Sequence, residues 1–96
     1  MPTYVVLYRF TDQGFKNAKE TVTRANQARA DNEQRGFQVR ELLWTQGRYD
    51  IIAVVDAPDE QAMMAGMLNI CGAGNVRSET LRAFTATEME AVLAKS

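Results

Sequence analysis

Residues Thr3 to Phe10 are apolar at almost every position, with Tyr4, Val6, Tyr8 and Phe10 on one face of an extended strand and Val5 and Leu7 on the other. Such a strand needs cover on both sides. Thr11-Asp12-Gln13-Gly14 follows with turn and N-cap chemistry. Phe15, Ala18, Val22, Ala25 and Ala28 then recur at helical spacing, which predicts one amphipathic helix with a thin apolar stripe running to about Gln34. Lys16 with Glu20 and Glu20 with Arg24 form i,i+4 pairs for its solvated side, and Gly36 is placed to end it. Phe37 to Thr45 alternates Phe37, Val39, Glu41 and Leu43 against Gln38, Arg40, Leu42 and Trp44, a more polar strand suited to a sheet edge. Gln46-Gly47-Arg48-Tyr49 is a short Gly-containing connection, so this strand forms a hairpin with the apolar run Ile51 to Val55, which belongs at the sheet centre.

Ala57-Pro58-Asp59-Glu60 puts Pro and acids where the first turn of a helix favours them, and Ala62, Met63, Met67, Leu68, Ile70 and Cys71 supply a wide apolar face. Gly72 and Gly74 stop this second helix. Ser78 to Phe84 alternates again, with Glu79, Thr80 and Arg82 as polar members. Thr85-Ala86-Thr87-Glu88 is a capping box that opens a last helix with Met89, Val92 and Leu93 inward. The predicted class is α+β: a ferredoxin-like βαββαβ order with a four-stranded antiparallel sheet and an added C-terminal helix, in one domain over residues 1–96. In that arrangement the first and third strands are central and the other two are edges, which matches the hydrophobicity ranking of the four strands. Right-handed crossovers place both helices on one sheet face, leaving the apolar residues of the other face to be covered by a second subunit's sheet. A dimeric α/β barrel with an enclosed space between the sheets is the expected assembly.

Composition narrows the function classes. Ninety-six residues fit one domain, which at this size buries only about 60 to 65 % of its unfolded surface, so a partner adds useful burial. Eleven Lys plus Arg stand against twelve Asp plus Glu, a net charge of −1 without like-charge blocks, which disfavours nucleic-acid binding. The run Ile51 to Val55 is far short of the ~20 residues that span a bilayer, and Met1-Pro2-Thr3 leads straight into a strand instead of a signal peptide. A cytoplasmic protein without a membrane role is expected. Cys71 is the single cysteine and there is no histidine, so no internal disulfide forms and neither a metal site nor a cofactor is expected.

Three segments carry a family resemblance: Tyr4 to Gly14 (YVVLYRFTDQG), Gly47-Arg48-Tyr49-Asp50, and Gly74 to Phe84 (GNVRSETLRAF). Together they resemble the GYD-domain family of small bacterial proteins, which implies the dimeric α/β barrel fold without an established activity. The second half is also similar, more loosely, to the ligand-sensing domains of the Lrp/AsnC regulators through Gly47, Tyr49, Asp50, Gly74, Val76 and Thr80. That similarity implies a small effector bound between subunits.

Candidate chemistry gathers at a few positions. Tyr49 and Asp50 fit a ligand site at the cavity mouth, Asp50 as acid/base and Tyr49 as an orienting hydroxyl, while hairpin-turn chemistry explains the same residues. Arg9 and Arg82, near the ends of neighbouring strands, fit a carboxylate clamp, or else an ion pair with Glu79 or a solvated rim. Trp44, with Tyr4 and Tyr8, fits either an aromatic ligand wall or packing. Met63, Met64 and Met67 fit core filling, with Met64 offset from the stripe. Cys71, near a helix C-terminus and without a histidine, fits an inert thiol. Gly72-Ala73-Gly74 follows a helix and precedes a strand, the reverse of a dinucleotide loop. Two functions remain open: a small-molecule-binding or sensing homo-oligomer with its site between paired sheets, or a cofactor-independent enzyme of the monooxygenase or isomerase kind.

Overall fold

In the computed structural model, which describes residues 1–96, the strands are β1 (Thr3–Phe10), β2 (Gln38–Trp44), β3 (Ile51–Asp56) and β4 (Val76–Ala83). The helices are α1 (Asp12–Lys16), α2 (Thr21–Gln34), α3 (Glu60–Gly72) and α4 (Ala86–Lys95), with a 3-10 turn over Ala18–Glu20. The strands form one sheet in the order β2-β3-β1-β4, and every neighbouring pair is antiparallel. This is the ferredoxin-like order, with the two most apolar strands in the middle.

Period-2 alternation sorts the central strands into two faces. Tyr4, Val6 and Tyr8 lie across from Val55, Ala53 and Ile51 on the face covered by the helices. Tyr4, Val6, Ala53 and Val55 join Phe37, Ala57 and Met63 in the buried core. Gly66 of α3 is buried over Phe37, where an added Cβ would sit 3.6 Å from the ring, so a small residue lets the helix approach. Asp59 caps α3 by accepting the Ala62 amide at 2.7 Å. Beside this core the helices leave a cleft of about 540 Å³ lined by Tyr8, Leu42, Ile51, Ala53, Val55 and Ile70.

The structure departs from the sequence expectations at several places, among them Phe15 and Val22 of the expected apolar stripe, which are exposed. The first helix is not continuous: the Asn17 carbonyl accepts the Glu20 amide at 3.2 Å and the Arg24 guanidinium at 2.6 Å, which tightens the chain into the 3-10 turn before α2 begins. The alternation of β2 breaks at a bulge between Val39 and Glu41, so Val39, Leu42 and Trp44 all lie across from helix-side residues of β3. The bulged Arg40 reaches Asp56 instead, at 2.6 Å. Leu68 of α3 is exposed. Finally α4, although closed by the expected capping box of Thr85 and Glu88, buries none of its residues. Met89, Val92 and Leu93 are exposed in the single chain, because α4 follows an edge strand and has no sheet of its own to lie on.

Candidate functional site

The second sheet face has no helix over it. Val5 and Leu7 of β1, Ile52 and Val54 of β3, Leu43 of β2 and Leu81 of β4 share this face by register. Leu43 and Leu81 are 53 % and 46 % exposed, so the apolar surface extends to both edges. Polar groups close its two ends. At one end the buried Asp56 accepts the Thr3 hydroxyl at 2.6 Å and the Arg40 Nε at 2.6 Å. Burial alone would push its carboxyl up, but those two donors outweigh it and hold the group below its ordinary value of 3.8.

The other end is built by three peptide segments that meet there. The Thr11 amide donates to the Asn75 carbonyl at 3.0 Å and the Thr11 hydroxyl to the Gly74 carbonyl at 2.5 Å. Gln13 donates to the Ala73 carbonyl at 3.1 Å and to the Asn75 side chain at 3.2 Å. Gly74 adopts φ +90°, a conformation open to glycine at little cost, and this turns Asn75 toward the β1–α1 connection. The third segment is the hairpin loop: Thr45 donates its amide to the Asp50 carbonyl at 2.9 Å and its hydroxyl to the Tyr49 carbonyl at 2.6 Å. Asp50 extends the ladder by donating its amide to the Tyr8 carbonyl, and its carboxylate accepts the Phe10 amide at 2.8 Å. A side chain thus pairs the β1 amide that lies beyond the start of β3.

A groove of about 690 Å³ results, lined by Leu7, Arg9, Tyr49, Arg77 and Glu79 together with the Thr11–Gln13 turn and Gly74. Arg9 and Arg77 are directly opposite each other in the β1–β4 register. Neither is in an ion pair; the two in the chain join Arg29 to Glu33 and Arg40 to Asp56. The Tyr49 hydroxyl donates to Glu79 at 3.2 Å, fixing the ring at the groove edge.

Of the five residues singled out from the sequence, Arg9 and Tyr49 line this groove. Asp50 lies beside it, engaged with the Phe10 amide. Trp44 is on the helix side, donating from Nε1 to the Thr21 hydroxyl at 3.1 Å. Arg82 is at the far end of β4, stacked over Phe84 at 4.4 Å and donating to the Thr3 carbonyl at 3.2 Å. Arg9 and Arg82 do not meet, because β1 and β4 run antiparallel and Arg82 pairs with Tyr4. Counting back from that register would have put Arg77 opposite Arg9.

On the helix side, Cys71 Sγ lies 3.4 Å from the Ser78 hydroxyl. The Tyr8 phenol is pushed up to about 12, by burial first and by its electrostatic interaction with Cys71 second. No three His, Cys, Asp or Glu side chains converge as a metal set would. No helix is long and apolar enough to cross a membrane.

Strand order and helices together define a small ferredoxin-like α+β protein with one sheet face left uncovered. The chain belongs to the GYD domain family, whose pattern residues 4–93 match. It is 32% identical over 95 residues to the glutamine synthetase and cystathionine beta-lyase binding protein of Thermus thermophilus. That likeness takes in 97% of this chain and 99% of the relative. No solved structure matches the chain.

Proposed function

We propose that this protein is a cytoplasmic binding protein that works as a homo-oligomer paired through its open sheet face, holds a small molecule between the paired sheets, and engages enzymes as its protein partners. The observation that carries this proposal is the apolar surface of Val5, Leu7, Leu43, Ile52, Val54 and Leu81, over which the chain lays no element of its own. Contiguous exposed apolar surface on a small domain is a mark of an interaction site. A second copy offers an equally broad, equally twisted sheet, and two sheets pack face to face about 10 Å apart with their side chains interleaved. Enzymes are proposed as partners because the Thermus relative is named for binding two of them. The exposed apolar residues Met89, Val92 and Leu93 of α4 lie outside the sheet face and are a surface for such a partner.

Sedimentation equilibrium tests the assembly, and co-sedimentation with purified glutamine synthetase and cystathionine beta-lyase tests the partners. The expected mass is an integer multiple, two or more, of the 10.7 kDa chain. Ile52→Glu or Leu81→Glu is expected to return it to a folded monomer. A wild-type chain that sediments as a monomer at micromolar concentration refutes pairing through the face, and enzymes that sediment unaccompanied refute the partner assignment.

A further inference from the structure

We propose that Arg9 and Arg77 form a clamp for the carboxylate of a small organic acid, with the rest of the ligand lying along Leu7 and the Tyr49 ring. Two like charges placed directly opposite on one face of an antiparallel pair repel, and a pair of strands ordinarily avoids the arrangement. Here the register puts Arg9 against Arg77 and neither guanidinium has an acidic partner. An oxyanion between them removes the repulsion, and a guanidinium presents two parallel N–H donors that match the two oxygens of a carboxylate.

The acidic residues of the groove limit what fits. Asp12 and Glu79 also line it, so the surface is not a broad cationic patch. Glu79 is held by the Tyr49 hydroxyl at 3.2 Å. With two carboxylates nearby, a highly charged ligand meets as much repulsion as attraction, whereas a single carboxylate seated between the guanidinium groups does not. Leu7 and Tyr49 supply the apolar wall for an organic remainder, and the Thr11–Gln13 turn and Gly74 border the groove. The groove is formed within one chain, so the clamp deepens the proposed small-molecule site without resting on the assembly of two copies.

Nuclear magnetic resonance of the full chain, titrated with sodium benzoate, tests the clamp. Sodium phosphate and sodium chloride at matched ionic strength serve as comparison arms, and sedimentation of the same samples records the assembly state. Benzoate is expected to shift the Nε–Hε signals of Arg9 and Arg77 saturably, and more than chloride does. Arg77→Gln and Arg9→Gln are each expected to weaken the affinity by about tenfold or more, as loss of a charge-assisted hydrogen bond does. Lys19→Gln, the same charge change on the exposed 3-10 turn, is expected to leave the affinity unchanged. A monomer that binds benzoate keeps the clamp and removes the pairing. A phosphate response equal to or stronger than that of benzoate, a benzoate response no larger than that of chloride, or arginine variants that respond as the wild type does, overturns the carboxylate clamp. So do arginine variants that lose only self-association, since the two residues would then answer to acids of a second copy.

Discussion

Gly14 offers a test in which two physical effects have opposite signs. It is the third residue of α1, and its backbone does not adopt a positive φ, so no conformational demand requires glycine there. By helix propensity alone, Gly14→Ala stabilises by about 1 kcal/mol. The packing predicts the reverse. A Cβ on Gly14 would lie 2.0 Å from the Asn75 carbonyl oxygen, 3.0 Å from its carbon and 3.3 Å from the Phe10 Cβ. A backbone carbonyl cannot rotate away as a long side chain can, and this one accepts the Thr11 amide at 3.0 Å. Making room separates the β1–α1 turn from the start of β4 and disturbs the Gln13 and Asn17 contacts with Asn75. Overpacking costs about 1–3 kcal/mol, and one or two strained or broken hydrogen bonds add about 1–2 kcal/mol. Against the propensity gain, the net loss is about 1–4 kcal/mol, centred near 2.5 kcal/mol. At about 4–8 °C per kcal/mol for a domain of this size, the central value lowers the melting midpoint by about 10–20 °C. Thermal unfolding followed by circular dichroism measures it, at one protein concentration because association also moves the midpoint. Gly72→Ala is the control, since its Cβ would meet nothing within 4 Å, and it is expected to melt at or slightly above the wild type. A Gly14→Ala protein that melts as high as the wild type would falsify the close approach.

Asp56 is held below its ordinary value of 3.8, so its contribution to stability is present above that pH and disappears as pH falls through the lowered folded value. Asp56→Asn is therefore expected to lower the midpoint at pH 7, with a loss of about 1–2 kcal/mol because the Arg40 side chain is half exposed, and the gap from wild type should close in melts below pH 3.8. A gap that persists unchanged in acid refutes the assignment. Tyr8 behaves oppositely in sign: its phenol is raised from 10.0 to about 12, so the folded state keeps a proton that the unfolded chain releases, and its stabilising contribution fades as pH rises from 10 toward 12. Tyr8→Phe should flatten the alkaline fall of the thermal midpoint between pH 10 and 12, and a fall that the substitution leaves unchanged counts against the burial of Tyr8. Thr85→Ala removes the hydroxyl that accepts the Glu88 amide at 3.2 Å, an N-cap loss of about 1 kcal/mol. Because α4 buries nothing in the chain, faster amide exchange is expected over residues 88–93 of the monomer with the sheet amides unchanged, and a sheet that exchanges faster as well contradicts the detachment of α4.

The sheet was legible in the sequence because period-2 alternation and net strand hydrophobicity report the same thing, the cover each strand needs. Tyr4, Val6 and Tyr8 fall on the helix face and Val5 and Leu7 on the other as the alternation requires. Where alternation misleads, a longer-range bond outweighs local pattern. Arg40 leaves the ladder because Asp56 is within 2.6 Å, and that shifts Leu42 and Trp44 onto the side of Val39. The spacing of Phe15, Ala18 and Val22 suits a single helix, yet Asn17 is tied to Asn75 and to Arg24, and those ties are invisible to a periodicity that counts only apolar positions.

The groove was legible in part for a different reason. Its three segments, the Thr11–Gly14 turn, the Gly47–Asp50 loop and the Gly74–Asn75 turn, are the same three that carry the family resemblance, and their physical connection is now plain: each is tied by hydrogen bonds to a neighbouring segment at a single sheet end. Asp50 binds the end of β1, Thr11 binds Gly74 and Asn75, and Tyr49 reaches Glu79 across the groove. What sequence proximity to strand ends could not supply is direction. Arg9 and Arg82 both sit near the C-terminal ends of their strands, and antiparallel pairing sends those ends apart, replacing Arg82 by Arg77 as the neighbour of Arg9. The same pairing that separates the expected clamp produces the unpartnered one. A second guanidinium directly opposite the first is unfavourable for a bare sheet, and that register is the observation on which the proposed clamp rests.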